Sequence, residues 1–181
     1  VDFQDLAKRS MEVGEYGQSL RYHEYIFNTK SSWIAENLIF LNQNLSLPLA
    51  AQGILTCAQD GGFLTFHESL AESLDLWDDA LHSYTKKLKK NPDDKILKQG
   101  KMRCLEALLQ FNDLAKTTEN ENSLFSASSS WRLNNIERFS TVVSKLENQE
   151  DPSVMFYQAI HAIIQNRYQD VHPLVLKIQK S

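Results

Sequence analysis

A short pattern recurs along this chain: a bulky residue, followed three and four positions later by small or aliphatic residues, opens an amphipathic stretch. Six copies begin, in chain order, at Tyr16, Pro48, Trp77, Phe111, Ile136 and Tyr168. Successive copies lie 25 to 34 residues apart, and the second and fifth are degenerate. Such a period is typical of stacked helical hairpins, because one hairpin cannot bury its apolar face alone. The pattern predicts an all-α fold.

Apolar spacing within the copies supports this prediction. One face is formed by Trp77, Ala80, Leu81, Tyr84 and Leu88, with the i, i+3, i+4, i+7 spacing of an amphipathic helix. A second is formed by Ile96, Leu97, Gly100, Cys104, Leu105 and Leu108. Gly100 and Cys104 lie one turn apart, so a neighbouring helix is expected to approach closely there. Similar faces are predicted at 33–45 and 156–164.

Helix ends are marked by turn and capping residues. Asn91–Asp94 and Asp151–Ser153 each combine Pro with Asp, which predicts that one helix ends and the next is capped there. Together, these signals predict about twelve helices. We expect them to form a right-handed α-solenoid of about six antiparallel hairpins of the tetratricopeptide type. We expect one segment over residues 1–181, with its weak point at 117–130. That stretch is polar and then serine-rich, which predicts a longer loop followed by a short helix ending near Trp131. It is also the candidate region for disorder or phosphorylation.

The composition excludes several classes of protein. Lys and Arg number 19 against 23 Asp and Glu, so no overall field attracts nucleic acid or an anionic membrane. No apolar run approaches the roughly 18 residues of a membrane span. We expect the thiols of Cys57 and Cys104 to be buried and reduced, and the protein to be cytoplasmic. Association of the longer parent protein with endomembranes is a second option. The chain starts without Met and its final stretch, 171–178, is still apolar, so we expect it to belong to a longer array.

Motifs for catalysis are lacking. The sequence holds no glycine-rich phosphate loop and no kinase motif. His23-Glu24 and His67-Glu68 begin like a zinc-binding H-E-x-x-H, but Phe27 and Ala71 occupy the second histidine position. The remaining histidines are expected to be surface or half-buried helix residues: His82, His161 and His172. We therefore predict no catalytic, cofactor-binding or metal-binding residues and no enzyme activity in this segment.

One basic cluster has two interpretations. Its principal members are Lys86, Lys87, Lys90, Lys98 and Lys101. The simpler interpretation is a solvated face whose cations near a helix C-terminus stabilise that helix. The alternative is an anion-binding patch for an acidic peptide or an inositol phosphate. No aromatic residues are interleaved on the expected exposed side, so stacking on nucleic-acid bases is not supported.

Several strings resemble the FAT region of target-of-rapamycin (TOR) kinases. Gly100–Leu108, with Met102, Arg103, Cys104 and Leu105, resembles the family's Gly-Arg-Met-Arg-Cys-Leu-Glu-Ala-Leu. Further matches in the family's order are Ser19–Tyr25, Glu36–Ile39, Ala50–Leu55, Leu76–Leu81 and Phe156–Ile160, the last including Tyr157. The chain departs from the family at two places. It has Leu109-Gln110-Phe111 where the family has Gly-Glu-Trp, and Ser128-Ser129-Ser130 where the family has an alanine-rich helix. The resemblance is to a divergent TOR.

The resemblance implies a non-catalytic scaffold that wraps around and positions a serine/threonine kinase domain. Catalytic residues, ATP, Mg²⁺ and the family's inositol-phosphate pocket would all lie outside this chain. Expected partners are the rest of the kinase chain and the protein subunits of a TOR complex in nutrient and growth signalling. The alternative is an independent tetratricopeptide-like adaptor that binds peptide tails of partner proteins.

Overall fold

The computed structural model describes residues 2–29, 31–65, 67–146 and 151–180. All regular structure in these ranges is helical, which confirms the predicted all-α fold. A single 3₁₀ turn spans Phe27–Thr29. The twelve described α-helices are α1 (Phe3–Glu12), α2 (Tyr16–Ile26), α3 (Ser32–Asn44), α4 (Pro48–Asp60), α5 (Glu68–Ser73), α6 (Trp77–Leu88), α7 (Lys95–Ala107), α8 (Phe111–Thr117), α9 (Leu124–Arg132), α10 (Ile136–Val143), α11 (Pro152–Ile164) and α12 (Tyr168–Ile178).

The chain forms two compact units, Val1–Ala80 and Leu81–Ser181. In the first, α1 packs on α2, α2 on α3 and α3 on α4, and in the second each helix from α7 to α12 packs on the next. This packing of chain neighbours is that of helical repeats. The handedness of the array stays a prediction.

Each unit has its own apolar core. In the first, Ala35 and Ile39 of α3 pack with Ala51 and Leu55 of α4. In the second, one cluster centres on the fully buried Leu114 of α8 and another on the fully buried Phe139 of α10.

Six connections share one turn geometry, which explains the sequence repeat. At α3–α4, the Ser46 N–H donates to the Gln43 carbonyl (3.0 Å) and the Leu47 N–H to the Asn42 carbonyl (2.8 Å). This pair of bonds is the Schellman motif, which satisfies the last carbonyls of a helix. It recurs at the turns before α2, α6, α8, α10 and α12, and the same pair of bonds ends α4 at Gly62 and Phe63, where a longer loop follows. Every repeat anchor found in the sequence is the first residue of the helix that follows such a turn.

The middle residue of each turn has a left-handed backbone. These residues are Gly14, Ser46, Asp75, Leu109, Asn134 and Asn166, with φ between 56° and 79°. Only the first is glycine, the residue that adopts this conformation without steric penalty. Leu109 is the least suited of the six, because its Cβ is strained by positive φ and its side chain is 70% exposed.

The predicted caps are confirmed. The Asp94 carboxylate accepts hydrogen bonds from the Ile96 and Leu97 amides (2.9 and 3.2 Å) at the start of α7. The Asp151 carboxylate accepts from the Ser153 amide (2.7 Å) at the start of α11. Both carboxylates therefore satisfy amides that the helix itself leaves without acceptors.

Two predictions of burial, one on α7 and one on α4, are wrong. Ile96, assigned to the apolar face of α7, is 76% exposed, because it lies in the first turn of that helix, ahead of the residues that pack. Cys57 is exposed on α4, because the buried side of that helix runs through Ala51, Leu55 and Ala58 instead. The prediction that Cys104 is buried is confirmed.

The stretch 117–130 combines a confirmed prediction with a corrected one. A loop follows α8, and the short helix α9 ends at Arg132, close to the expected position. However, Ser126, Ser128, Ser129 and Ser130 are all buried, at 4% exposure or less. These four hydroxyls are therefore not the accessible phosphorylation sites that the serine-rich composition suggested.

Candidate functional site

Gly100 lies directly against the ring of Tyr84, which is 6% exposed. A Cβ built at Gly100 would lie 2.3 Å from the ring Cζ and 2.5 and 2.7 Å from the two Cε atoms. No real Cβ approaches a ring so closely, so the side chain of any other residue would displace the ring. The sequence predicted that a whole helix approaches Gly100 closely, whereas the group that lies against it is one side chain, the ring of Tyr84 on α6.

The other residues of the TOR-like string divide between core and surface. Met102, Cys104 and Leu105 are buried. Met102 and Leu105 form a cluster with Leu114, against which Leu81, Phe111 and Phe125 pack. Leu108 is half-buried and Arg103 is exposed. In the first unit, Ala80 is fully buried and Trp77 half-buried.

Phe156 and Tyr157 of α11 face different surroundings. Tyr157 is half-buried and packs with its ring edge-on to Phe139 (centroids 6.1 Å apart). Phe156 is 53% exposed, which contradicts its assignment to the apolar face. The assignment failed because α11 is apolar on most of its circumference, so that spacing alone does not identify the packed side.

The predicted lysine patch is spread over several surroundings. Lys98 and Lys101 of α7 are half-buried and line a recess of about 230 Å³ that also contains Glu121. The Lys98 ammonium lies 3.9 Å from the Asp93 carboxylate. One carboxylate therefore lies close to the Lys98 ammonium, and a second, that of Glu121, belongs to a residue lining the same recess. The remaining members are exposed and lie outside that recess: Lys86, Lys87 and Lys90. An anion site formed by all five stays a prediction.

His23 is part of a buried polar network rather than a metal site. Its Nδ1 lies 2.8 Å from the Ser19 carbonyl, which only accepts, so Nδ1 carries the proton. Its Nε2 accepts from the Asn37 amide (3.3 Å), and the Ser19 hydroxyl donates to the Ala7 carbonyl (3.0 Å). Burial lowers the pKa of His23, and the bond to the Ser19 carbonyl opposes this shift. The neutral imidazole thus joins α2 to α3, and the Ser19 hydroxyl extends the network to α1.

This serine–histidine pair has no access to a substrate. Both Ser19 and His23 have 0% exposure, and the hydroxyl is already bonded to a backbone carbonyl. A catalytic nucleophile must reach its substrate, so the network stabilises the fold instead. In the described ranges, no three His, Cys, Asp or Glu side chains come together as a metal-binding group.

Arg138 of α10 is a positioning residue that sequence reasoning missed. Its Nη2 donates to the carbonyls of Thr118 and Glu119 (2.7 and 2.8 Å) and to the Ser126 hydroxyl (3.3 Å). The guanidinium thereby fixes the loop after α8 against α9. A signal was present in the run Ser126–Ser130, since five small side chains in succession allow close approach of a neighbouring segment.

No helix within the described ranges is both long and apolar enough to cross a lipid bilayer.

Comparison with known proteins gives one consistent result. No protein-family model matches the chain. It is 30% identical to the serine/threonine-protein kinase mTor of Drosophila melanogaster over 184 residues, covering 94% of this chain and 7% of that protein. It is 28% identical to the serine/threonine-protein kinase TOR2 of Saccharomyces cerevisiae over 187 residues (95% and 8%). It is 27% identical to the serine/threonine-protein kinase tor1 of Schizosaccharomyces pombe over 179 residues (90% and 8%). The chain thus spans less than a tenth of the length of these curated relatives.

Proposed function

We propose that this chain, a homologue of one segment of the TOR kinases, is a non-catalytic helical scaffold segment of a TOR-type serine/threonine kinase. It corresponds to part of the FAT region. It packs around and positions a kinase domain that lies outside this chain and supports assembly of a TOR complex in growth signalling. Kinase activity, ATP and Mg²⁺ belong to that domain.

One observation carries the proposal: similarity to TOR kinases extends over 94% of a chain whose described residues form helix pairs joined by one repeated turn. Nearly every part of the segment contributes to a repeat, which leaves little of it for a separate catalytic insertion. Stacked repeats offer extended surfaces for protein contact. Homology to the TOR kinases along the chain favours this role over an independent adaptor.

The surface of α11 and α12 suits a protein partner. Five large apolar side chains there are 39 to 64% exposed: Phe156, Ile163, Tyr168, Val175 and Leu176. No described residue of α12 is fully buried. All five lie on two helices that pack on each other, and exposed apolar surface of this kind marks protein contact surfaces. We assign this face to contact with the rest of the kinase chain or a complex subunit.

The experiment is a replacement in Drosophila mTor. Deleting the segment homologous to this chain should abolish kinase activity and complex assembly, and inserting this chain in its place should restore both in part. Phe156→Asp combined with Leu176→Asp should remove the restoration. The matched control is Gln18→Asp combined with Gln99→Asp, which introduces the same charges at exposed residues of α2 and α7 and should leave restoration intact.

Two results would contradict the proposal. Full kinase activity and assembly after the deletion would show that the segment positions nothing. Nanomolar binding of a short peptide tail by this chain, with no effect of the deletion on the kinase, would favour the adaptor.

A further inference from the structure

A recess lies between α8, α9 and α10 in the second unit. Its volume is about 330 Å³, near the lower end of the roughly 300–1,000 Å³ of small-molecule pockets. Its wall includes Lys116 and Glu119 from α8 and the loop after it, Ser130 from α9, and Asn135 and Arg138 from the start of α10. It is thus lined by polar groups contributed from three consecutive helices.

Two donors in this wall have no hydrogen-bond partner. The Ser130 hydroxyl, in a residue that is 1% exposed, and the Arg138 Nε–H are both buried and unpaired. Buried polar groups in proteins almost always have a partner. The neighbouring Ser129 shows the usual solution, because its hydroxyl donates to the Ser126 carbonyl at 3.2 Å. Both residues also line the recess, whose volume can hold an acceptor.

Arg138 is held in place for this role. Its Nη2 is engaged by the carbonyls of Thr118 and Glu119 and by the Ser126 hydroxyl, which fixes the plane of the guanidinium. The unpaired Nε–H belongs to the same rigid group. A guanidinium bonds most strongly to a charged acceptor, and a planar, preorganised one loses little entropy in doing so.

We propose that this recess binds a phosphate-sized oxyanion, with Ser130 Oγ and Arg138 Nε as its donors. Both missing partners are acceptors, and one donor is a cation, so an anion satisfies both at once. Lys116 adds a second cation at the wall, although its ammonium also pairs with Asp113 at 3.0 Å. Glu119 opposes the anion and limits its affinity. This site is independent of the scaffold role.

Calorimetric titration of the chain with inorganic phosphate, at ionic strength held constant with chloride, tests the site. We expect saturable binding. Ser130→Ala should weaken it about tenfold, the effect of losing one hydrogen bond to a charged group. Glu119→Gln should tighten it severalfold, because it removes the opposing carboxylate. A purely structural role for Glu119 would not produce that gain.

Ser129→Ala is the matched control, since Ser129 is equally buried on the same helix but its hydroxyl is bonded within α9. It should leave phosphate affinity unchanged. Alanine favours helix, so circular dichroism should show both variants folded. Titration with O-phosphoserine identifies the source: tighter binding than inorganic phosphate indicates a phosphorylated side chain, and equal or weaker binding indicates the free anion. Absence of saturable phosphate binding, or equal losses in Ser129→Ala and Ser130→Ala, would overturn the site.

Discussion

The contact between Gly100 and the Tyr84 ring gives a direct measure of how tightly the second unit packs. Gly100→Ala has two opposing effects on the free energy of unfolding. Alanine is favoured over glycine within a helix by about 1 kcal/mol. The new methyl, however, would lie 2.3 to 2.7 Å from three ring atoms of a buried tyrosine. Overpacking of this kind costs about 1–3 kcal/mol. We expect the steric effect to prevail.

The expected net change for Gly100→Ala is a loss of about 1 kcal/mol in the free energy of unfolding, as the overpacking penalty less the helix gain. Urea denaturation followed by far-UV circular dichroism measures it. The sign should reverse in a Tyr84→Ala background, where the ring is absent and only the helix preference remains. There the same change should stabilise the chain by about 1 kcal/mol. The difference between backgrounds isolates the contact.

Gly53 of α4 is the matched control. It also lies inside a helix, but a Cβ built there meets no atom within 4 Å. Gly53→Ala should therefore stabilise the native chain by about 1 kcal/mol. If Gly100→Ala stabilises the chain as Gly53→Ala does, or destabilises it equally with and without the Tyr84 ring, the ring does not restrict this position.

Three further outcomes follow from the described residues. Leu109→Gly should raise the free energy of unfolding, measured by urea denaturation, by about 0.5–1 kcal/mol. The change removes the strain of a Cβ at positive φ, and the side chain that is lost is exposed. Gln110→Gly in the same turn is the control and should lower the free energy of unfolding. His23 has a pKa below its ordinary 6.5 in the folded chain. As the pH falls, His23 therefore becomes protonated in the unfolded chain before it does in the folded chain. The free energy of unfolding should fall as the pH drops below about 6.5, and the contribution of His23 to this fall should be absent in His23→Leu. Under native conditions a thiol reagent should label Cys57 and leave Cys104 unmodified until the chain unfolds, as mass spectrometry of the labelled protein would show.

Periodicity in the sequence located the helix starts but not every packed side. The anchors at Trp77 and Phe111 begin helices because the turn before each has the same three-residue geometry, which sets a fixed register. Along α11, by contrast, Val154 and Met155 are buried while Phe156 and Ile163 are exposed. A helix that is apolar on most of its surface carries no period from which its packed face can be chosen. The neighbouring helices decide that face.

The buried serine hydroxyls of the second unit could not be predicted from the sequence for a related reason. Serine is treated as a surface residue because a buried hydroxyl without a partner is costly. In α9, the Ser129 hydroxyl finds a partner within its own helix, the Ser126 carbonyl. The Ser126 hydroxyl instead accepts a hydrogen bond from Arg138, twelve residues further along the chain. Neither solution has a spacing that marks it in one sequence. Ser130 has neither kind of partner, and its place in the same recess as Arg138, whose Nε–H is also unpaired, becomes visible only once three helices are placed together. Gly100 is the opposite case: the absence of a side chain one turn from Cys104 is visible in the sequence and predicted a close contact, although the Tyr84 ring and not a neighbouring helix makes it.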